Sequence, residues 1–195
     1  MVIIYSDKNW FDIDGWWCES DAHFTSLVAQ WLPNGASCVE VGAWQGRSLA
    51  CMLQNVQRNG KTVTQYAIDT WGGSVQEDCQ VQSVAQRGGA AAMLDQFEKN
   101  MSDCGVFGMV TSILDYSMGA VTRFSDGSLD FVFIDGDHSE DEVFADITAW
   151  MPKLKPRGLI AGHDMHWPSV RAGVNKFFGV GQCVIMDNCW LNFLP

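Results

Sequence analysis

Along most of its length this chain alternates short apolar runs with stretches of helical periodicity, and no other feature constrains its fold as much. The apolar runs lie at 38–41, 66–68, 106–111, 130–134 and 159–161. Between them, residues 46–58, 89–101, 115–124 and 139–154 space their apolar side chains for one face of a helix. The run from Asp130 to Ile134 is almost continuously apolar, as a strand covered on both faces must be. Such alternation predicts right-handed crossovers and a parallel sheet with helices on both sides. A helix over 20–32 precedes the first strand, with Phe24, Leu27, Val28 and Trp31 on one face. A further helix is expected over 170–178. Runs at 184–186 and 190–193 flank Asp187-Asn188, a hairpin composition, and predict a C-terminal antiparallel addition to one sheet edge. Ser139 and Glu142 match a capping box at the start of the clearest helix. Residues 71–88 contain Gly72, Gly73, Gly88 and several Gln and Ser residues, and they read as an irregular loop.

With 195 residues the chain is expected to form one domain, 1–195. An aromatic segment and helix would occupy 1–35 and a ligand-binding core 36–195. Its 47% hydrophobic and 18% charged residues are those of a globular enzyme, not a disordered chain. No apolar window is long enough to span a bilayer, and residues 1–17 carry Asp7, Asp12 and Asp14 where a signal peptide needs basic charge. The formal net charge of -11 argues against a nucleic-acid substrate. Seven cysteines with no C-x-x-C pair suit a reducing compartment, so a cytoplasmic location is expected.

Open parallel sheets bind ligands beyond the carboxyl ends of their strands. The residues that matter are then those just after each strand: 42–46, Asp69, 112–115, 135–138 and 163–164. The first of these loops reads Glu40-Val41-Gly42-Ala43-Trp44-Gln45-Gly46-Arg47-Ser48. Gly42 permits a sharp turn, and Gly46 opens a helix whose first N–H groups face the pocket. A dinucleotide fingerprint would place a glycine where Trp44 stands, and an indole there obstructs a pyrophosphate. The loop better suits a ligand without phosphates. Asp69 can accept hydrogen bonds from both hydroxyls of a ribose.

The segment from Val39 to Ser48 resembles motif I of class I S-adenosylmethionine-dependent methyltransferases. Ile68-Asp69-Thr70-Trp71 resembles the ribose-binding segment that follows. Phe133 to Ser139 and Leu154 to Asp164 are similar to the small branch related to macrocin-type O-methyltransferases and cephalosporin-hydroxylase-like proteins. The resemblance covers roughly residues 36–178 and departs at Arg157, where a second glycine is usual. It implies a doubly wound, mostly parallel seven-stranded α/β sheet of the Rossmann-like methyltransferase kind. It also implies S-adenosylmethionine as cofactor, with Glu40 near the methionine amino group, Gly42 and Gly46 along the ligand, and Asp69 on the ribose. Trp44 and Ser48 belong to the same cofactor loop, and Trp71 and Ser112 are candidates for the adenine end.

Asp135 ends the fourth strand and His163-Asp164 the fifth, so the two loops should converge. Asp135, His163 and Asp164 could hold Mg²⁺ or another divalent metal, although an imidazole disfavours magnesium. His138 is suited to take a proton from the substrate, as the histidine base of the macrocin branch does; the alternative is a helix-capping role. Asp137 could replace Asp135 or help start the helix, and His166 stands near Asp164. Trp10, Phe11, Trp16, Trp17, Trp71 and Trp167 suit core packing, a homodimer contact, or a gate formed with the loop 71–88. The reading is O-methylation of a small hydroxylated acceptor. Two alternatives stand beside it: a cofactor-binding module without chemistry, and a hydroxylase-like metal enzyme using His138, His163 and Asp164.

Overall fold

The computed structural model describes residues 8–74 and 78–195. Seven strands form one sheet in the order β3-β2-β1-β4-β5-β7-β6. They are β1 (Ala36–Val41), β2 (Val63–Asp69), β3 (Val110–Leu114), β4 (Leu129–Ile134), β5 (Leu154–Gly162), β6 (Val184–Met186) and β7 (Cys189–Phe193). β1 to β5 run parallel to one another, and β7 runs antiparallel between β5 and β6. The helices are α1 (Asp21–Trp31), α2 (Arg47–Arg58), α3 (Asp78–Arg87), α4 (Ala90–Asp103), α5 (Ser117–Ala120), α6 (Glu140–Trp150) and α7 (Pro168–Phe178). The switch in strand order between β1 and β4 opens the ligand crevice where this topology requires it.

Period-two alternation divides the core into two apolar layers. Phe131 and Phe133 of β4 point into the layer beneath α1, α2 and α4. Val132 and Ile134 of the same strand point into the layer beneath α6 and α7. That division explains the unbroken apolar run: both faces of β4 are buried. Among the described residues, no helix is long and apolar enough to cross a membrane.

The structure corrects several expectations. The segment 71–88 is not a loop throughout, because α3 occupies 78–87. Its one buried residue is Val84, so a nearly polar helix left little periodicity to read. The third strand starts at Val110, later than expected, and a single 3₁₀ turn occupies 107–109. Ser139 is the N-cap of α6, yet it makes no side-chain capping bond. Instead its own N–H donates to Asp137 Oδ1 at 2.7 Å, so Asp137 organises the turn into the helix.

Candidate active site

Backbone hydrogen bonds between neighbouring strand ends build the site. Gly42 N–H donates to Ile68 O, Asp135 N–H to Val41 O, and His163 N–H to Ile134 O. The loops after β2, β1, β4 and β5 are thereby held side by side. Beyond them lies a cleft of about 1250 Å³. Gly42, Trp44, Ser48, Asp69, Asp135, His138, His163 and Asp164 all line it. Glu40, Gly46, Trp71 and Ser112, expected at the ligand, do not.

The glycines serve the fold more directly than the ligand. Gly42 has φ +86°, and a Cβ there would lie 1.9 Å from the Asp135 carbonyl oxygen. Gly46 has the same φ, and its Cβ would meet Met101 and Phe97 of α4 at 2.4 and 2.8 Å. Close approach therefore occurs between parts of this chain.

Asp69 is locked by its surroundings. Its Oδ2 accepts the Trp44 N–H and its Oδ1 the Trp71 N–H, each at 2.7 Å. Burial pushes its pKa up, opposed by these backbone donors. The Trp71 indole N–H donates to Trp44 O at 2.8 Å, and its ring packs on Phe97 below the cleft floor. Trp71 thus supports the cofactor loop from within the core. Trp44, Trp71 and Asp164 all hold positive φ. Left-handed backbone at three non-glycine residues, each on or directly beneath the cleft loops, is the kind of strain that ligand sites retain.

Glu40 lies behind the cleft wall and is 3% exposed. Its Oε1 accepts the Ser48 hydroxyl at 2.6 Å, and Ser48 is the member of this pair that reaches the cleft. Burial pushes the Glu40 pKa up to about 8, against the Ser48 hydrogen bond. Ser112 is committed elsewhere, its hydroxyl donating to Glu98 Oε1 at 2.9 Å. The segment after β3 instead contributes Asp115, Tyr116, Ser117 and Met118.

At the other end of the cleft, charge is concentrated. His138 Nε2 lies 3.0 Å from Asp164 Oδ2. Trp167 stacks over the His138 ring with centroids 4.8 Å apart. His163 is 6% exposed. Its Nδ1 lies 3.4 Å from Asp164 Oδ2 and 3.6 Å from Asp135 Oδ1, and its Nε2 lies 3.5 Å from Asp21 Oδ2. Burial would lower the His163 pKa, but the Asp135 charge and the bonds to Asp164 and Asp21 raise it to about 11. Burial acts to raise the Asp164 pKa, yet the two histidines hold it well below the usual carboxylate range. Asn188 Nδ2 donates to Asp164 Oδ1 at 3.2 Å.

The expected metal set of Asp135, His163 and Asp164 is brought together, His163 Nδ1 lying within 3.6 Å of both carboxylates. Donor atoms of Asp135, His138 and Asp164 also lie within 4.8 Å of one another, so His138 joins the donors foreseen. The other side of His163 converges with Asp21 and Cys189. Among the described residues the two donor groups hold one histidine each, so the 2-His-1-carboxylate set considered for a hydroxylase is not assembled.

Sequence reasoning gave no role to Arg47. Arg47 donates to Gly15 O at 2.6 Å and lies over the Phe11 ring, tying the N-terminal segment to α2. That bond places Trp16 and Trp17 on the cleft wall. Trp17 packs against the His163 ring at 4.9 Å. Of the roles that the aromatics at 10–17 suit, Trp16 and Trp17 take positions on the cleft wall, while Trp10 is buried in the core.

A protein-family profile described as a methyltransferase domain matches residues 39–165. The Sinorhizobium fredii protein y4gI is 26% identical over 158 residues, covering 74% of this chain; the chain spans only 16% of that protein's length. Cofactor-bound Rv0187 from MTB superposes with a TM-score of 0.65 at 12% identity, covering 94% of this chain and 84% of that one. A SAM-dependent O-methyltransferase from Thermotoga maritima gives 0.58 at 16% identity, over 84% of this chain and half of the other. A precorrin 8W decarboxylase from Methanobacterium thermoautotrophicum gives 0.61 at 15% identity, over 93% and 91%. At such identities structural likeness speaks for the fold alone, and the decarboxylase shows that this fold does not dictate one chemistry. The profile covers well over half of the sequence, and the chain belongs to this methyltransferase-domain family, with the sheet of class I S-adenosylmethionine-dependent methyltransferases.

Proposed function

We propose that this protein transfers a methyl group from S-adenosylmethionine to a hydroxyl oxygen of a small acceptor. The observation that carries the reading is one shared cleft: the Gly42–Ser48 loop and Asp69 line one part, and the His138–Asp164 pair lines another. Each oxygen of Asp69 accepts one backbone N–H and keeps capacity for a ribose hydroxyl. Ser48 faces the same space, with Glu40 behind it to receive an ammonium charge through the hydroxyl. S-adenosylmethionine, when bound, supplies a methyl carbon on a sulfonium that attack by an oxygen lone pair displaces.

The chain's own task is then to align the acceptor and accept its proton. His138 receives that proton, and Asp164 orients the imidazole and balances the charge that forms. His163, fixed between Asp135 and Asp164, holds both carboxylates in place. A divalent cation also suits the donors of Asp135, His138 and Asp164, which converge as two carboxylates and an imidazole. Held there, it would lower the pKa of the acceptor hydroxyl.

Free thiols at all seven cysteines support a cytoplasmic location. The exposed Val184 and Ile185 of edge strand β6 are the surface we assign to a homodimer.

Calorimetry with S-adenosylhomocysteine and NAD tests the cofactor: the first binds and the second does not. A panel of hydroxylated acceptors, assayed for S-adenosylhomocysteine formation with and without chelator, tests the chemistry. Chelator-resistant turnover assigns proton removal to the His138–Asp164 pair alone, and chelator-sensitive turnover assigns it to the metal-assisted form. Binding of NAD in place of S-adenosylhomocysteine would overturn the reading.

A further inference from the structure

His163 faces two ways. One ring nitrogen addresses the cleft carboxylates, and the other addresses a buried group that the methyl-transfer reading does not use. That group consists of Asp21 at the start of α1, His163 at the end of β5 and Cys189 at the start of β7. Their relative exposures are 2%, 6% and 0%. One donor atom from each lies within 4.8 Å of the other two. Nothing in ordinary core packing calls for a carboxylate, an imidazole and a thiol to converge away from water.

A second observation points to something bound there. Asp21 Oδ2 accepts the Cys18 N–H at 3.1 Å and the Cys18 thiol at 2.8 Å. Asp21 Oδ1 is buried and has no hydrogen-bond partner among the described residues. A carboxylate oxygen left without donor or solvent is an exception that a native structure must account for. The surrounding charge makes the deficit larger. Asp21, Asp135 and Asp164 all approach the His163 ring within 3.6 Å, so three carboxylates meet one imidazole.

We propose that Asp21, His163 and Cys189 form a zinc site beneath the cleft. The donors are one oxygen, one nitrogen and one sulfur, a set that suits Zn²⁺ and not Mg²⁺ or Ca²⁺. Zinc bonds of about 2.0–2.3 Å imply donor separations of roughly 3.3–3.6 Å in a tetrahedron. The 3.5 Å between His163 Nε2 and Asp21 Oδ2 is close to such an edge, and the unpartnered Oδ1 lets the same carboxylate meet the metal without giving up its Cys18 bonds. His163 Nε2 lies 3.2 Å from Asn188 Nδ2, a contact the metal would replace; with Nε2 on the metal, the Nδ1–H is left to donate to Asp164 and Asp135, the carboxylate–histidine–metal arrangement that fixes a ligating imidazole. Zinc takes the place of the His163 proton and the Cys189 proton, both released on binding. The site joins α1 to β5 and β7 and so fastens the segment carrying Trp16 and Trp17 against the cleft wall. It is structural, and distinct from the cleft donors Asp135, His138 and Asp164.

The test uses the full chain purified with Zn²⁺ and dialysed, followed by metal analysis and thermal melting, with Co²⁺ as a spectroscopic substitute. One zinc per chain is expected. Co²⁺ should give a thiolate charge-transfer band, and zinc should raise the melting temperature, because a ligand bound only by the folded state stabilises it. Cys189→Ser, which keeps the side-chain shape, should remove the charge-transfer band. It should also weaken zinc binding by at least about 100-fold, beyond the 10–100-fold cost of outer-shell changes. Asp21→Asn should weaken binding as well, whereas His138→Ala and Cys79→Ser should retain the metal. Absence of retained zinc in the wild-type chain would overturn the proposal. So would zinc lost in His138→Ala but kept in Cys189→Ser, because the metal would then sit in the cleft.

Discussion

The two ends of the cleft are held in opposite ways. Around Asp69 the wall is made by backbone: two N–H groups on one carboxylate, glycines that admit a neighbouring strand, and an indole N–H bonded to Trp44 O. Around Asp164 it is made by side chains, the adjacent His163 together with His138 and Asn188 from other loops. A backbone-built wall keeps one shape and tolerates few substitutions. A side-chain wall holds titratable groups whose charges depend on each other, and this is where proton chemistry can be placed.

The largest expected effect breaks the backbone-built end. Gly42→Val places a branched side chain where a single Cβ already meets the Asp135 carbonyl at 1.9 Å, at a φ that valine avoids. The strand ends would have to separate. A loss of more than about 4 kcal/mol is expected, read as failure to yield folded protein by circular dichroism. A stable Gly42→Val chain that merely binds ligand poorly would mean that the glycine serves the ligand and not the fold.

At the side-chain end, His138→Ala should slow methyl transfer by roughly 10²–10⁴-fold, the usual worth of a general base. Binding of S-adenosylhomocysteine should be almost unchanged, because the contacts of His138 with Asp164 and Trp167 lie at the other end of the cleft from Asp69. Equal losses of turnover and cofactor affinity would erase the contrast between the two ends. Asp69→Ala is the complementary change. It should weaken S-adenosylhomocysteine by about 1–3 kcal/mol in calorimetry, the range for hydrogen bonds to a charged acceptor. An unchanged affinity in a folded variant would remove Asp69 from the ribose.

The same contrast governs how much could be read from sequence. Backbone-built features leave local marks. Strand–glycine–helix and strand–aspartate patterns placed Gly42, Asp69, Asp135 and Asp164 at strand ends that the structure brings to one cleft. The strand alternation also foretold the seven-stranded sheet and its antiparallel close. Side-chain clusters leave no such marks. Asp21, Asn188 and Trp17 meet His163 only because α1 and β7 fold onto β5, and nothing at residues 17–21 or 188 announces it. Sequence placed both histidines near the site, and both line the cavity; the contact of His163 with Asp21, 142 positions away, left no local mark. Trp71 failed for another reason: an aromatic beside a ligand aspartate can stack on the ligand or underpin the loop, and only packing against Phe97 decides.

The smallest effect expected concerns a carboxyl that lies between the two regimes. Asp146 of α6 is 4% exposed and lines the cleft. It accepts the Ser117 hydroxyl, which in turn accepts the Trp150 indole N–H at 2.9 Å. Burial pushes its pKa up to about 6, opposed by the Ser117 bond and reinforced by Glu142 and Asp137. A carboxyl whose folded-state pKa is raised favours the protonated fold. Below about pH 4 the unfolded carboxyl is protonated too, and the group's stabilising contribution is fully present. As pH rises from about 4 to 6 the unfolded chain ionises first, and that contribution is lost. Above pH 6 the fold must carry a buried charge. Asp146→Asn keeps an acceptor for Ser117 and removes that charge. It should therefore stabilise the protein by roughly 1–2 kcal/mol at pH 8, less than the full linkage value because local relaxation screens the charge, and by almost nothing at pH 4. Denaturant melts at the two pH values give the difference directly. A stabilisation equal at both would mean that Asp146 titrates normally, and the acidic wall beside His138 would then need no neutral member.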